Sequence, residues 1–129
     1  MTRPLLLLDS IAEIGATGTV SADACIVSGS HGGRSAAGFV LGHSHKPYAV
    51  FFNDAGIGKD RAGIVGLDLL QNIGVACCAY AHDSARIGEA ADGVANGVLT
   101  HCNARAAQLG LSPGLTVGQA LRLIGVAVR

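Results

Sequence analysis

Three segments of the chain lead from an apolar run into a cluster of glycines and side chains suited to chemistry. The clusters are SGSHGGRS at 28–35, NDAGIGKD at 53–60 and HDSAR at 82–86. A short apolar run bounded by turn residues is typical of a buried strand, and α/β proteins bind ligands at the carboxyl ends of such strands. The pattern therefore predicts a binding or catalytic site that several strand ends share.

The first cluster combines a hydroxyl, an imidazole and glycine N–H groups. Histidine exchanges protons near neutral pH, and backbone N–H groups stabilise an oxyanion. We therefore predict that His31 is a general acid or base and that Ser30 assists it. Gly32 and Gly33 are predicted to contact the ligand. The alternative is that Ser30 and His31 only satisfy backbone groups of their own turn. The motif GxSxG is absent, so a conventional α/β-hydrolase is not expected.

The second cluster contains the pair Gly58 and Lys59, which is part of a Walker A motif. Asn53 stands where that motif needs its first glycine, and Asp60 stands where it needs Ser or Thr. These two departures exclude nucleotide hydrolysis. We predict instead that Lys59 approaches an anionic group and that Asn53 and Asp54 orient that group, with Asn53 and Lys59 contacting the ligand and Asp54 taking part in catalysis. The alternative is a helix-capping turn with a solvated lysine.

The third cluster supplies the best candidate for holding an anion. The planar guanidinium of Arg86 matches a carboxylate or a phosphate with two hydrogen bonds. Asp83 is predicted to take part in catalysis and Ser84 to contact the ligand, although both are also suited to capping a following helix. His82 opens the cluster, with no separate role predicted for it. Asp9, which directly follows the leucine run at 5–8, is predicted to reach the same edge.

No metal and no cofactor are predicted. His43 and His45 form an HxH pair that could bind a metal ion. A motif this short is weak evidence for a metal site, so we expect a solvated loop. The four cysteines are Cys25, Cys77, Cys78 and Cys102. They lack the CxxC spacing of zinc or redox sites. We expect reduced, buried thiols and a cytoplasmic location.

Strand and helix patterns alternate along the chain. Strands are predicted at 4–8, 24–28, 48–52 and 75–81, a turn at 29–33, and helices at 11–14, 34–41, 61–73 and 88–109. The segment 115–128 is either a short helix followed by an edge strand or a dimerisation arm. The alternation predicts the α/β class. We expect one three-layer (αβα) domain over residues 1–129, with a mainly parallel, Rossmann-like sheet of about four to five strands.

The order of these motifs resembles the core of caspase-like proteins, which include the caspases and the bacterial CHAT-type domains. The resemblance covers residues 24–81 and consists of an apolar strand, His31-Gly32, the strand ending FFNDAGIG, a helix and the strand GVACCAY. It implies an α/β fold in which His31 matches the family's histidine. Ala55 stands where the family has its nucleophilic cysteine. The resemblance therefore implies a domain without protease activity.

Composition narrows the range of partners. Half of the residues are hydrophobic and 14% are charged, which favours burial of some surface in a homo-oligomer. Nine basic residues balance nine acidic ones without a run of like charge. We therefore expect neither a nucleic-acid partner nor a membrane partner. The leucine run is too short for a signal peptide or a membrane span.

Three functions are compatible with these patterns. The first is a small enzyme, a hydrolase or lyase, that acts on a carboxylate- or phosphate-bearing metabolite. The second is a non-catalytic ligand-binding or assembly module that uses the same edge. The third is a subunit whose apolar surface binds a different protein.

Overall fold

A five-stranded sheet forms the centre of the molecule. The computed structural model describes residues 2–16 and 18–128. The strands are β1 (Leu5–Leu8), β2 (Cys25–His31), β3 (Ala49–Asn53), β4 (Ala76–Tyr80) and β5 (Leu99–Cys102). Their order in the sheet is the order in the chain. The first four strands are parallel and β5 is antiparallel to β4, so the predicted mainly parallel sheet is confirmed.

Within residues 2–16 and 18–128, five helices cover the two faces of the sheet. They are α1 (Arg34–Leu41), α2 (Val65–Gln71), α3 (Ala90–Asn96), α4 (Ala104–Gln108) and α5 (Val117–Leu123). Helices α1 and α2 and a 3₁₀ turn at Ile11–Glu13 contribute to the core on one face. Helices α4 and α5 contribute to the core on the other face, where α3 packs against α5. The predicted three-layer αβα architecture is confirmed. No helix in the described part of the chain has the length and apolarity needed to cross a membrane.

Alternation along the strands divides the core between the two faces. In β3, Ala49 and Phe51 face the side of α5, whereas Val50 and Phe52 face α1 and α2. All four are buried. A parallel strand covered on both faces is apolar without interruption, which is why these strands were recognisable as continuous hydrophobic runs.

Local signals predicted the first half of the chain well. Helix α1 has the predicted bounds, and the helix predicted at 11–14 is a 3₁₀ turn whose capping box consists of Ser10 and Glu13. The turn predicted at 29–33 is wrong in its first part, because β2 continues to His31. Gly29 remains in the strand, where a Cβ would lie 2.5 Å from the carbonyl carbon of Gly88. A glycine within a strand here marks the close approach of another backbone segment.

The helix predicted at 61–73 starts later than expected. Asp60 and Arg61 have φ angles of 56° and 61°, in the left-handed region, so the preceding residues form only a 3₁₀ turn. Regular α-helix begins at Val65. Leu67 and Leu70 of this helix are buried against the sheet.

The helix predicted at 88–109 is wrong. This segment contains α3, then β5, then α4. Gly97 is extended after α3, and Asn103 caps α4 by accepting a hydrogen bond from the Ala106 N–H. The edge strand suggested for the end of the chain is also absent from the described residues. After α5 the chain places Val126 in the core instead.

Candidate functional site

The connections that leave β3 and β4 diverge at the carboxyl edge of the sheet, and we call the place where they diverge the crevice. The chain after β3 leads to α2 on one face of the sheet, and the chain after β4 leads to α3 on the opposite face. Adjacent connections that diverge in this way leave a gap at the carboxyl edge, where α/β proteins bind ligands. Asp54 directly follows β3, and His82 lies two residues after the end of β4.

Asp54 is the best-connected polar side chain at the crevice. Its Oδ1 accepts hydrogen bonds from the Gly56 N–H at 2.8 Å and the His82 N–H at 3.0 Å. Its Oδ2 accepts one from the Thr100 hydroxyl at 2.9 Å. The carboxylate thereby joins the connection after β3, the connection after β4, and strand β5. A buried charge that receives several donors is held in one orientation.

These donors favour the charged form of Asp54. Burial by itself raises the pKa of the carboxyl. The hydrogen bonds from Gly56, Thr100 and His82 outweigh burial and hold the pKa below its ordinary value. Asp54 is therefore an anion at neutral pH, although its side chain is buried.

His82 is the partner of this carboxylate. Its Nδ1 lies 3.3 Å from Asp54 Oδ1, while 58% of the side chain remains exposed. The ring lies over Gly56, where an added Cβ would lie 3.5 Å from it. A carboxylate at Nδ1 orients an imidazole so that Nε2 points away from it and can exchange a proton with a ligand. The pair has the geometry of a general base and its orienting group.

His82 also lines a hollow of about 440 Å³ beside the crevice. The lining residues are His82, Asp83, Ser84, Ala85, Arg86, Asp92 and Asn96. The Arg86 guanidinium is 80% exposed and lies 3.8 Å from Glu89. Asp92 accepts hydrogen bonds from the Arg86 N–H and the Asn96 side chain. These donors hold the pKa of the partly exposed Asp92 carboxyl below its ordinary value.

His31 opens onto a different hollow, of about 390 Å³. This hollow is lined by His31, Gly33, Arg34, Ser35, Asp60, Ala62 and Val65. Its lining shares no residue with that of the hollow beside His82. The exposed His31 ring packs over Gly33, where a Cβ would lie 2.9 Å from it. His31 and Arg86 therefore lie at the same edge of the sheet, but in separate hollows.

Several of the predicted site residues are engaged in hydrogen bonds that hold the loops. Ser30 Oγ accepts a hydrogen bond from the Ile11 N–H, and Asp9 Oδ1 accepts one from the Ala90 N–H. Ser84 Oγ donates to the Ala81 carbonyl and accepts from the Val98 N–H. Ser30 thus bonds a different segment and not its own turn, and Ser84 does not cap α3, whose N-cap is Glu89. The predicted ligand and catalytic roles of both residues stay predictions.

Asn53 and Gly32 also connect neighbouring segments. Asn53 is fully buried; its amide donates to the Ala85 carbonyl, and its Oδ1 accepts from the Ala55 N–H. The Gly32 N–H donates to the Asn53 carbonyl, and the Gly32 carbonyl accepts from the Gly66 N–H. Both residues connect the segments that form the carboxyl edge. Their predicted contacts with a ligand stay a prediction.

The loop after β3 has an unusual backbone. Ala55, Ile57, Asp60 and Arg61 all have φ angles in the left-handed region, which costs free energy for residues other than glycine. Such strain clusters at binding and active sites. Lys59 is exposed on this loop, within the 3₁₀ turn Lys59–Arg61. It lies outside the linings of both hollows.

The HxH segment forms a compact turn. The His45 N–H donates to His43 Nδ1, and the Lys46 ammonium donates to the Leu41 carbonyl. Within residues 2–16 and 18–128, no group of three or more His, Cys, Asp or Glu side chains is placed to hold a metal ion.

The sequence analysis missed two residues of the Asp54 cluster. His82 was visible in HDSAR, and its position directly after a strand was the available signal. Thr100 had no such signal, because its segment was predicted to be helical and not a strand of the sheet. Comparisons of the chain with models of protein families, with curated proteins and with solved structures gave no significant match.

Proposed function

We propose that this protein is a small enzyme, a hydrolase or lyase, that transfers protons on a carboxylate- or phosphate-bearing metabolite. The observation that carries the proposal is the contact between buried Asp54 and exposed His82 at the crevice between β3 and β4. His82 is the general base, and Asp54 orients it. General bases need access to the ligand together with a fixed orientation, and His82 has both.

The surrounding hydroxyls favour a base over a serine nucleophile. Ser84 Oγ donates its proton to the Ala81 carbonyl, and the Thr100 hydroxyl donates to Asp54. A nucleophilic hydroxyl has to donate its proton to the base instead. His82 would therefore activate a water molecule for hydrolysis or remove a proton from the substrate for elimination.

Arg86 is the proposed anion-binding group in the same hollow. Among the described residues, its only ion-pair partner is Glu89, at 3.8 Å. Both side chains are exposed. Exposed ion pairs of this kind stabilise a fold little. A substrate carboxylate or phosphate can therefore replace Glu89 at small cost. Asp83 and Asp92 add negative charge to the hollow, which favours a substrate that also carries hydrogen-bond donors.

The test is a ligand screen followed by a turnover assay. Small carboxylates, phosphates and amides are screened by thermal shift, where a ligand at about 100 times its Kd adds roughly 2.7 kcal/mol of stability. Each hit is then followed by NMR for conversion, with the wild type, His82→Gln, Asp54→Asn, Arg86→Ala and His31→Gln. His45→Gln, in the exposed HxH turn, is the matched control.

The proposal predicts that His82→Gln abolishes turnover and keeps binding, while His45→Gln matches the wild type. Arg86→Ala is expected to weaken binding. Turnover that is kept in His82→Gln but lost in His31→Gln would identify His31 as the general base instead. Binding without turnover in the wild type would establish the alternative, a non-catalytic ligand-binding module, of which a caspase-like domain without protease activity is one form.

A homo-oligomer in the cytoplasm is also part of this proposal. Leu7 is 45% exposed on β1, which is an edge strand of the sheet. A row of apolar residues on an edge strand favours pairing with a second copy. The four cysteines are free thiols, which is typical of proteins in a reducing compartment.

A further inference from the structure

Cys78 and Cys102 lie opposite each other in the antiparallel pair β4–β5. Both are free thiols, and their sulfur atoms are 3.2 Å apart. Opposite residues in such a pair have Cβ atoms about 4.5–5.5 Å apart, and a disulfide needs about 3.8 Å. A movement on the order of 1 Å therefore suffices to form the bond. The pairing is irregular directly after this position, between Ala79 and Tyr80, and β5 is an edge strand.

The two thiols differ in access and in acidity. Cys78 is 1% exposed, whereas Cys102 is partly exposed. The hydrogen bond from the Cys78 thiol to Cys102 Sγ lowers the pKa of Cys102 against the effect of burial. The same hydrogen bond, together with burial, raises the pKa of Cys78. Cys102 is therefore the thiol that deprotonates more readily and that a reagent in solvent can contact.

We propose that Cys78 and Cys102 form an oxidation site, which a small disulfide such as oxidised glutathione converts into an intramolecular disulfide. The Cys102 thiolate attacks one glutathione sulfur, which breaks the glutathione S–S bond and releases one glutathione thiolate. Cys78 then loses its proton and attacks Cys102 Sγ, which releases the second glutathione thiolate. The two protein thiols lose two electrons and two protons, and oxidised glutathione becomes two molecules of glutathione.

The other two cysteines provide internal controls. Cys77 is adjacent to Cys78 in sequence, but its side chain is in the core on the opposite face of the sheet. Cys25 is fully buried on β2, and burial raises the pKa of its thiol to about 11. Neither thiol is placed to take part in the exchange.

The reduced protein is incubated with oxidised glutathione and analysed by intact mass and by tandem mass spectrometry of its peptides. The expected wild-type product has lost two hydrogen atoms, contains a Cys78–Cys102 link and returns to the reduced mass with dithiothreitol. Cys77→Ala is the matched control and is expected to form the same link.

Cys78→Ala is expected to stop at the mixed disulfide, with one glutathione on Cys102. Cys102→Ala is expected to remain unmodified, because the remaining thiols are buried. A wild-type chain that forms no link, or that links Cys25 or Cys77 to the same extent, would overturn the proposal. The wild-type peptide map gives this answer even where a variant fails to fold.

Discussion

At the scale of single residues, Asp54 determines the geometry of the crevice. Its carboxylate receives hydrogen bonds from Gly56, His82 and Thr100, which lie on three different segments of the chain. The hydrogen bonds to the charged form lower the pKa of Asp54. An aspartate whose pKa is lower in the folded state stabilises the fold at pH values above its unfolded pKa of about 3.9. This contribution is lost as the pH falls through the folded pKa.

Asp54→Asn tests this contribution. The amide oxygen can still accept from Gly56 and His82, but the charge is removed. We expect the free energy of unfolding at pH 7 to fall by roughly 1.5–3 kcal/mol, as for hydrogen bonds to a charged group. The difference from the wild type should shrink as the pH falls below about 3.9. Urea unfolding followed by circular dichroism, at pH 7 and at several acidic pH values, measures it.

Asp83→Asn is the control for Asp54→Asn. Asp83 is an exposed neighbour in the hollow, so its replacement should change stability by less than about 0.5 kcal/mol. A loss in Asp54→Asn that is the same at acidic and neutral pH would contradict a role for the charge.

At the scale of elements, glycines set how closely α1 and α2 approach. The Gly66 N–H donates to the Gly32 carbonyl at 2.8 Å. A Cβ at Gly66 would lie 2.8 Å from the carbonyl oxygens of Gly32 and Gly33. The start of α2 is therefore packed directly on the backbone that leads into α1, and this contact supports the His31 side of the edge.

The same substitution in the two helices should have opposite effects. Gly66→Ala forces backbone atoms apart, and we expect a loss of roughly 1–3 kcal/mol in unfolding free energy. Gly38, in α1, has open space at its Cβ position, so Gly38→Ala should gain roughly 0.5–1 kcal/mol from helix propensity. Chemical unfolding of both variants measures the difference. A Gly66→Ala variant as stable as Gly38→Ala would refute the close packing of α1 and α2.

The accuracy of sequence-based prediction also differed between elements. Helix α1 and the parallel strands were predictable because their signals are local, in apolar runs and in turn residues. Strand β5 was not, because Leu99–Cys102 contains no continuous apolar run, and its place is set by contacts with residues distant in the chain. Asn103 illustrates the point: its side chain accepts from the Cys77 N–H and donates to the Leu67 and Val75 carbonyls. These partners become neighbours only in the folded chain.

The candidate site shows the same limit. The sequence correctly indicated which segments end at the carboxyl edge, because each follows an apolar run. It did not indicate that His82 contacts Asp54, a residue 28 positions away. It also did not separate the hollow at His31 from the hollow at Arg86, since that separation depends on the path of the loops.

At the scale of the whole molecule, the sheet accounts for much of the apolar composition. Strands β2, β3 and β4 are buried on both faces, so their side chains contribute to two cores. The sheet ends at β1, whose four residues are all leucine. Edge strands in monomeric proteins are commonly protected by charges or prolines. Within Leu5–Leu8 there is neither, which supports pairing of β1 with a second copy.

Leu7→Lys tests this pairing. Leu7 is 45% exposed, so lysine is tolerated by the fold but opposes contact between two β1 strands. We expect the wild type to sediment as a homo-oligomer and Leu7→Lys to sediment as a monomer with unchanged circular dichroism. Ile73→Lys is the matched control, because Ile73 is 42% exposed but lies beyond the end of α2. Dissociation in both variants would place the interface elsewhere, and a monomeric wild type would contradict the oligomer itself.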